Sequence, residues 1–529
     1  MTSKILVSDP LDQEGLDILT ASGFPVDVKP GLTEDELCAI IGDYECLIIR
    51  SGTKVTPKVL DAAVNLRVIG RAGVGVDNID VPYATDKGIL VMNTPSANIL
   101  SAAEHSCAML LALARNIPFA HESMHKGEWK RSKYTGVEMN GKVLGIIGVG
   151  RVGGEVAKRM RAFNMTAIGY DPYLPQDVAD AIGVRLTTLE EVIQVADIMT
   201  IHTPLLPETR NMISMPQFKM MKPSAILVNV ARGGIVNEDD LYTALRENVI
   251  AGAAFDVWCE EPLCENEKKL LELENLVTTP HLGASTAEAQ ERVAVEIAES
   301  VIKYLRDNEI VNAINAPRGK LDPITAQYLP LAERLGMAAA QLNGQRPIDN
   351  LEVSFNGELA DKNTRMLNLS ILIGIMKSMV GQGNANIVNV EALAKSKGIV
   401  VKESKNSNAV VYDSTIGVRI ETKGDVFDLV GTIVAHEPRL VGINGFRFEI
   451  PMAGGMLLAR YRDTPGIIGK VGKVLGDNGV NIAMMSVGRD APMGTAVMAL
   501  SVDNPISADV LKLVDEASGF EDSKYIYIE

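Results

Sequence analysis

Apolar positions along the first 95 residues fall in short runs separated by stretches of helical spacing. Residues 5–7, 46–49, 68–69 and 89–91 read as buried strands, with helices expected over 13–20, 34–41 and 57–63. This alternation predicts a parallel sheet with helices on its faces. Residues 101–115 are apolar over so much of a helix circumference that they predict a helix buried between two bodies. A second α/β set opens with a strand at 143–147 and continues through strands at 166–170, 198–202, 225–230, 251–257 and 276–279. A long helix over 287–306 follows, with Val293, Ala294, Ile297, Val301 and Ile302 near a period of 3.6.

The texture then changes. Residues 315–323, with Pro317, Gly319 and Pro323, mark the strongest boundary. Beyond it, helical stretches at 330–342 and 365–380 sit among shorter strands, and Asn444-Gly445 lies between apolar residues as a hairpin turn signal. This part reads as an α+β domain without a chemical motif. The last 75 residues predict strand 456–462, helix 466–475, strand 480–487, strand 495–502, helix 508–517 and strand 525–528, a ferredoxin-like βαββαβ order.

Composition narrows the class. The 529 residues include 51 basic and 67 acidic side chains, for a net charge of -16, which does not favour a nucleic-acid partner. No apolar run approaches the length that spans a bilayer, and the first residues enter a strand-like segment without a signal-peptide core. The five cysteines include no Cys-x-x-Cys pair, so reduced thiols, a cytoplasmic location and no structural metal are expected.

The chemistry-bearing residues cluster at predicted strand ends. Gly148-x-Gly150-x-x-Gly153 follows the apolar strand at 143–147 and opens a helix. In that context the first glycine makes the turn, the second admits a pyrophosphate and the third packs helix on strand. Asp171 ends the next strand, where a carboxylate accepts the ribose hydroxyls of NAD and repels the 2′-phosphate of NADP; a cap of the Asp-Pro turn is the other reading. Of six histidines, His281 stands out because it closes a strand at the edge where open α/β sheets bind ligands. Arg232, followed by two glycines, and the stretch 256–261 end neighbouring strands. Arginine, glutamate and histidine around one NAD crevice form a catalytic constellation, although a strand-end ion pair would also account for Arg232.

These segments, together with residues 71–78, 93–95, 229–236, 256–262 and 280–286, resemble the D-2-hydroxyacid dehydrogenases over residues 1 to about 315. Residues 462–466 and 479–482 resemble an ACT regulatory domain. The resemblance implies two Rossmann-like domains, an intervening α+β domain and an ACT domain. Their expected limits are 1–97 with 284–315 for substrate, 98–283 for NAD, then 316–453 and 454–529. It implies oxidation of 3-phosphoglycerate (3-phospho-D-glycerate) to 3-phosphohydroxypyruvate, the first step of L-serine synthesis, in a homotetramer under feedback by L-serine. His281 is implied as the proton acceptor, Glu261 as its hydrogen-bond partner and Arg232 as the carboxylate fork. Cofactor contacts carry over to Gly148, Gly150, Arg151, Val152, Gly153, Asp171, Thr203, Arg232 and Asp256, while Val74 departs from relatives that place a threonine there.

Arg50 and Arg71 are expected at the substrate phosphate, and Arg131 in the partner subunit's active site, a solvated basic turn being the other reading of its segment. Tyr461, Asp463 and Asn481 are implied at the serine site, where Asp463 could equally be a helix cap. Another 2-hydroxy or 2-oxo acid substrate, or a non-catalytic NAD-sensing protein, are the alternative functions.

Overall fold

The computed structural model describes residues 3–264, 268–317, 321–344, 346–381, 383–408 and 411–528. Its first sheet contains β1 (Ile5–Val7), β2 (Val26–Val28), β3 (Cys46–Ile49), β4 (Val68–Arg71) and β5 (Leu90–Asn93), in the order β2-β1-β3-β4-β5. All pairs are parallel. The strand residues Ile5 to Val7 and Cys46 to Ile49 are buried on both faces, as helices on each side require. The chain returns to this body late: helix Ala287–Asp307 lays Ile297 and Val301 against Gly70 of β4.

The second sheet holds β6 (Val143–Ile147), β7 (Thr166–Tyr170), β8 (Arg185–Leu186), β9 (Ile198–Ile201), β10 (Ile226–Asn229), β11 (Gly252–Phe255) and β12 (Leu276–Thr278). Their order is β12-β11-β10-β9-β6-β7-β8, again all parallel. Strand order reverses between β6 and β9, and such a switch point opens a crevice at the carboxyl ends. The apolar helix expected at 101–115 runs Ile99–Ala114. It covers one face of the second sheet, with Ala103, Leu110 and Leu113 in that core and Glu104 and Ala108 in solvent. Within one chain it is a half-buried helix over one sheet.

The third sheet is mixed. It contains β13 (Asn350–Gly357), β14 (Val401–Asn406), β15 (Ser414–Thr422), β16 (Asp425–Val434), β17 (Glu437–Ile443) and β18 (Phe446–Pro451), in the order β14-β13-β15-β16-β17-β18. Asn444 and Gly445 both have positive φ, 49° and 81°, and join β17 to β18 as a two-residue hairpin. Helix Pro323–Leu342 starts seven residues before the expected position and carries Pro330 inside it. Asp322 caps it, and it crosses helix Arg365–Val380 where a Cβ on Gly336 would meet Ile371 O at 2.1 Å. That close crossing buries enough apolar surface to tolerate the proline. Of the expected boundary at 315–323, Gly319 lies outside the described residues.

The last four strands, β19 (Gly454–Arg462), β20 (Ile482–Arg489), β21 (Thr495–Val502) and β22 (Asp522–Ile528), are antiparallel in the order β20-β21-β19-β22. With helices Ile467–Asp477 and Ala508–Ser518 this is the expected βαββαβ arrangement. The third and fourth sheets share one core: Met456, Leu458, Val497, Ala499, Ile526 and Ile528 pack with Leu335, Phe355 and Leu440. No helix of the described residues is long and apolar enough to cross a membrane.

Candidate active site

The glycine loop follows β6 directly. Gly148 has φ 90°, and a Cβ there would meet the His202 carbonyl at 2.8 Å. Gly153 packs so closely that a Cβ would lie 2.2 Å from Gly148 O, whereas Gly150 faces open space at the N-terminus of helix Arg151–Arg161. The open face at Gly150 thus leaves the first amides of that helix accessible to an anion. At the end of β7, Asp171 Oδ2 accepts from Val149 N at 3.1 Å, and Oδ1 accepts from Tyr173 N and Leu174 N at 3.0 and 3.2 Å. The carboxylate thus ties the glycine loop to the turn that it caps.

A pocket of about 540 Å³ continues from this loop, lined by Arg151, Val152, Thr203, Arg232, Asp256 and His281 among others. Thr203 Oγ1 is buried there without a protein partner, and a buried hydroxyl of this kind calls for a ligand or water. Together with the open glycine loop, it fits a dinucleotide. Arg151 Nη1 donates across to Ser96 Oγ at 2.8 Å. Val74 lines the same pocket, with its carbonyl taken by Asn93 Nδ2 at 2.6 Å, so it presents an apolar side chain.

The catalytic candidates meet at the carboxyl ends of β10, β11 and β12. His281 Nδ1 lies 2.7 Å from Glu261 Oε2, and Glu261 Oε1 accepts from Trp258 N at 3.1 Å. Burial works to raise the Glu261 carboxyl, but the hydrogen bond and charge of His281 outweigh it and hold it below the usual carboxylate range. The Glu261 contact leaves His281 Nε2 as its other ring nitrogen. Arg232 Nη1 donates to Ala231 O at 2.7 Å, and Nε pairs with Asp77 Oδ2 at 3.1 Å across the cleft.

This cleft, about 620 Å³, is also lined by Arg50, Lys54 and Arg71. Arg71 is pushed down to about 10, first by burial and then by the cations Arg232 and Arg50, and it remains charged near neutrality. Its Nε is buried without a partner. Three basic groups can hold a small dianionic group, with Arg232 beside the histidine left for a carboxylate. Arg131 lies exposed in a 3-10 turn, Arg131–Tyr134, outside the lining of this cleft.

Three residues here escaped the sequence reading. Lys54 has no motif beyond its nearness to Arg50, and Asp77 acquires meaning only when the two bodies meet. His105 Nε2 approaches Asp256 Oδ1 at 3.2 Å. Its available signal was the four-residue spacing from Ser101, whose hydroxyl donates to Gly283 O. Asp256 itself is fully buried, and its carboxylate takes Leu282 N at 2.7 Å and Gly283 N at 2.8 Å.

The C-terminal candidates are not joined to one another by any hydrogen bond among the described residues. Tyr461 is 1% exposed and packs on Phe520 with ring centroids 5.7 Å apart. Asp463 pairs with Arg489 at 3.2 Å, and Asn481 Nδ2 donates to Asp503 Oδ2 at 2.6 Å.

A seven-stranded parallel sheet with this glycine loop, and a Glu-paired histidine facing an arginine at its carboxyl edge, defines a nicotinamide-dependent 2-hydroxyacid dehydrogenase. Residues 107–283 match the family described as D-isomer specific 2-hydroxyacid dehydrogenase, NAD binding domain. Residues 324–444 match the D-3-phosphoglycerate dehydrogenase intervening domain, and 455–519 the ACT domain. The chain is 43% identical to D-3-phosphoglycerate dehydrogenase of Methanocaldococcus jannaschii, over 98% of each chain. It is 40% identical to the enzyme of that name from Archaeoglobus fulgidus, over 99% of each. A crystal structure of D-lactate dehydrogenase from Aquifex aeolicus complexed with NAD and lactic acid matches 60% of this chain and all of its own, at 28% identity and a TM-score of 0.54. The chain belongs to the D-3-phosphoglycerate dehydrogenase family.

Proposed function

We propose that the chain oxidises 3-phospho-D-glycerate to 3-phosphohydroxypyruvate with NAD, opening L-serine synthesis under feedback by L-serine. The observation that carries this reading is the Glu261–His281 pair facing Arg232 in a cleft that also holds Arg50, Lys54 and Arg71. The relatives' printed name and the matched ACT domain support the substrate and the amino-acid effector.

The glycine loop, Arg151, Val152, Thr203, Arg232 and Asp256 would hold the cofactor, with Asp171 at its ribose. Bound NAD supplies the acceptor for the hydride that leaves C2. His281 takes the hydroxyl proton at Nε2, and Glu261 on Nδ1 fixes the ring and stabilises its positive charge. Arg232 exchanges Asp77 for the substrate carboxylate, and Arg50, Lys54 and Arg71 receive the phosphate. Arg131 contributes to a partner's cleft in a cytoplasmic homotetramer. Asp463 binds the amine of serine and Asn481 its amine or carboxylate, exchanging Arg489 and Asp503, while the buried Tyr461 supports the site from the core.

NADH consumption with 3-phosphohydroxypyruvate, against glyoxylate and hydroxypyruvate, tests the reading. The phosphorylated acid should have the highest kcat/KM, and L-serine should suppress turnover. Preference for an unphosphorylated acid would overturn the substrate assignment. Turnover indifferent to serine would overturn the effector site and leave the catalytic one standing.

A further inference from the structure

Helix Ile99–Ala114 presents one stripe to the segment that carries His281. Ser101 Oγ donates to Gly283 O at 2.9 Å. One turn later, His105 Nε2 lies 3.2 Å from Asp256 Oδ1 and 3.0 Å from Thr279 Oγ1. A further turn on, Met109 Sδ lies 3.7 Å from Thr279 Oγ1. Spacings of four stack these side chains on one helix face.

Opposite the stripe, Asp256 is 0% exposed and organises the whole turn. Its carboxylate accepts from Thr279 Oγ1 at 2.5 Å, Leu282 N at 2.7 Å and Gly283 N at 2.8 Å. Its backbone carbonyl accepts from His281 N at 2.9 Å. His281 is held at φ 56°, a left-handed conformation that a residue with a Cβ keeps only when its surroundings dictate it. Because the Thr279 hydroxyl donates to Asp256, the hydrogen on His105 Nε2 is the one directed at both oxygens. His105 is 20% exposed and absent from the lining of both pockets, so it touches neither substrate nor cofactor space.

We propose that His105 is a positioning residue for His281: through Asp256 and Thr279 it clamps the 279–283 turn to the helix and fixes where the catalytic imidazole stands. This rests on the reading of His281 as the proton-transfer residue. A side chain that only filled space could be replaced by any group of similar volume. A clamp needs a hydrogen-bond donor at the position of Nε2. Misplacing a reacting group by about 1 Å costs on the order of 100-fold in rate, whereas the walls of both ligand pockets stay intact.

The test is steady-state reduction of 3-phosphohydroxypyruvate by His105→Leu, His105→Gln, Thr279→Val and His281→Ala, with thermal unfolding of each. His105→Leu and Thr279→Val should lose about 10- to 100-fold in kcat, with both KM values within about threefold. His105→Gln, whose amide reaches the same place, should recover to within about threefold of the parent. An unchanged kcat in His105→Leu would overturn the proposal, as would a raised KM for NADH at constant kcat. A glutamine variant as slow as the leucine one, with the same drop in Tm, would also overturn it. If His281→Ala turns over normally, the underlying reading fails; if it is inactive while His105→Leu is normal, only the clamp fails.

Discussion

The N-terminal half and the C-terminal half of the chain are both layered from strands and helices, and both close surface charges in ion pairs, yet only the first gathers charged strand ends into one cleft. In the first half, Arg71, Arg232, Glu261 and His281 stand at or just beyond the carboxyl ends of parallel strands and converge on one cleft. In the second half, Asp463 goes to Arg489, Asn481 to Asp503, Arg346 to Asp425 and Arg439 to Glu437. A parallel sheet collects every carboxyl end on a single edge, so strand-end charges gather there. Antiparallel neighbours send successive ends in opposite directions, and their charges close locally on one another. What the second half gathers is apolar surface, the core shared by its two sheets.

The contrast breaks most severely at His281. His281→Ala should lower kcat on the order of 10³-fold, since general acid–base catalysis is worth 10²- to 10⁴-fold. Calorimetry should find the melting of the C-terminal half unmoved. Arg232→Gln should follow, with kcat/KM down about 10²-fold because a charge-assisted fork onto a carboxylate is lost. A fall in NADH affinity alone would instead make Arg232 a cofactor residue.

In the other half the sensitive positions are apolar. Leu458, 5% exposed in the shared core, should cost about 3 kcal/mol as Leu458→Ala. Chemical denaturation should show that loss, with turnover at 25 °C unaltered; turnover falling in parallel would mean that the halves unfold as one.

The smallest effect is acid dependence. Burial raises the Asp256 carboxyl, but hydrogen bonds from His105, Thr279 and Leu282 N outweigh it and hold it below its ordinary value. A depressed folded value contributes stability that is complete above about pH 4 and disappears as pH falls through it. Asp256→Asn should therefore lower Tm at pH 7, by about 1–3 kcal/mol of stability, and flatten the acid limb of a Tm-against-pH series. An unchanged acid limb would show that Asp256 does not carry it.

Much of the catalytic half was legible because its signals are local. The run into Gly148-x-Gly150-x-x-Gly153 states strand, turn and helix within a dozen residues, and Asn444-Gly445 states its hairpin in two. Pro330 misled for the same reason: read locally, proline starts a helix, but the crossing at Gly336 carries the helix through it. Tyr461 gave no sign of its burial against Phe520, because alternation along one strand does not say which face a neighbouring element covers.

From sequence alone came most strands of the first two sheets and of the last, the glycine loop, and Arg232 and His281 at strand ends, since periodicity and turn chemistry act over a few residues. The family resemblance singled out Glu261, while β2, β8 and most of the third sheet went unread. Tertiary structure alone decided that Arg232 faces Asp77, that the third and fourth sheets share a core, and that His105 meets Asp256 and Thr279. Each of these partnerships joins distant parts of the chain: the cleft between the first two sheets brings Asp77 to Arg232, and the Ile99–Ala114 helix laid over neighbouring β11 and β12 brings His105 within hydrogen-bonding distance of Asp256 and Thr279.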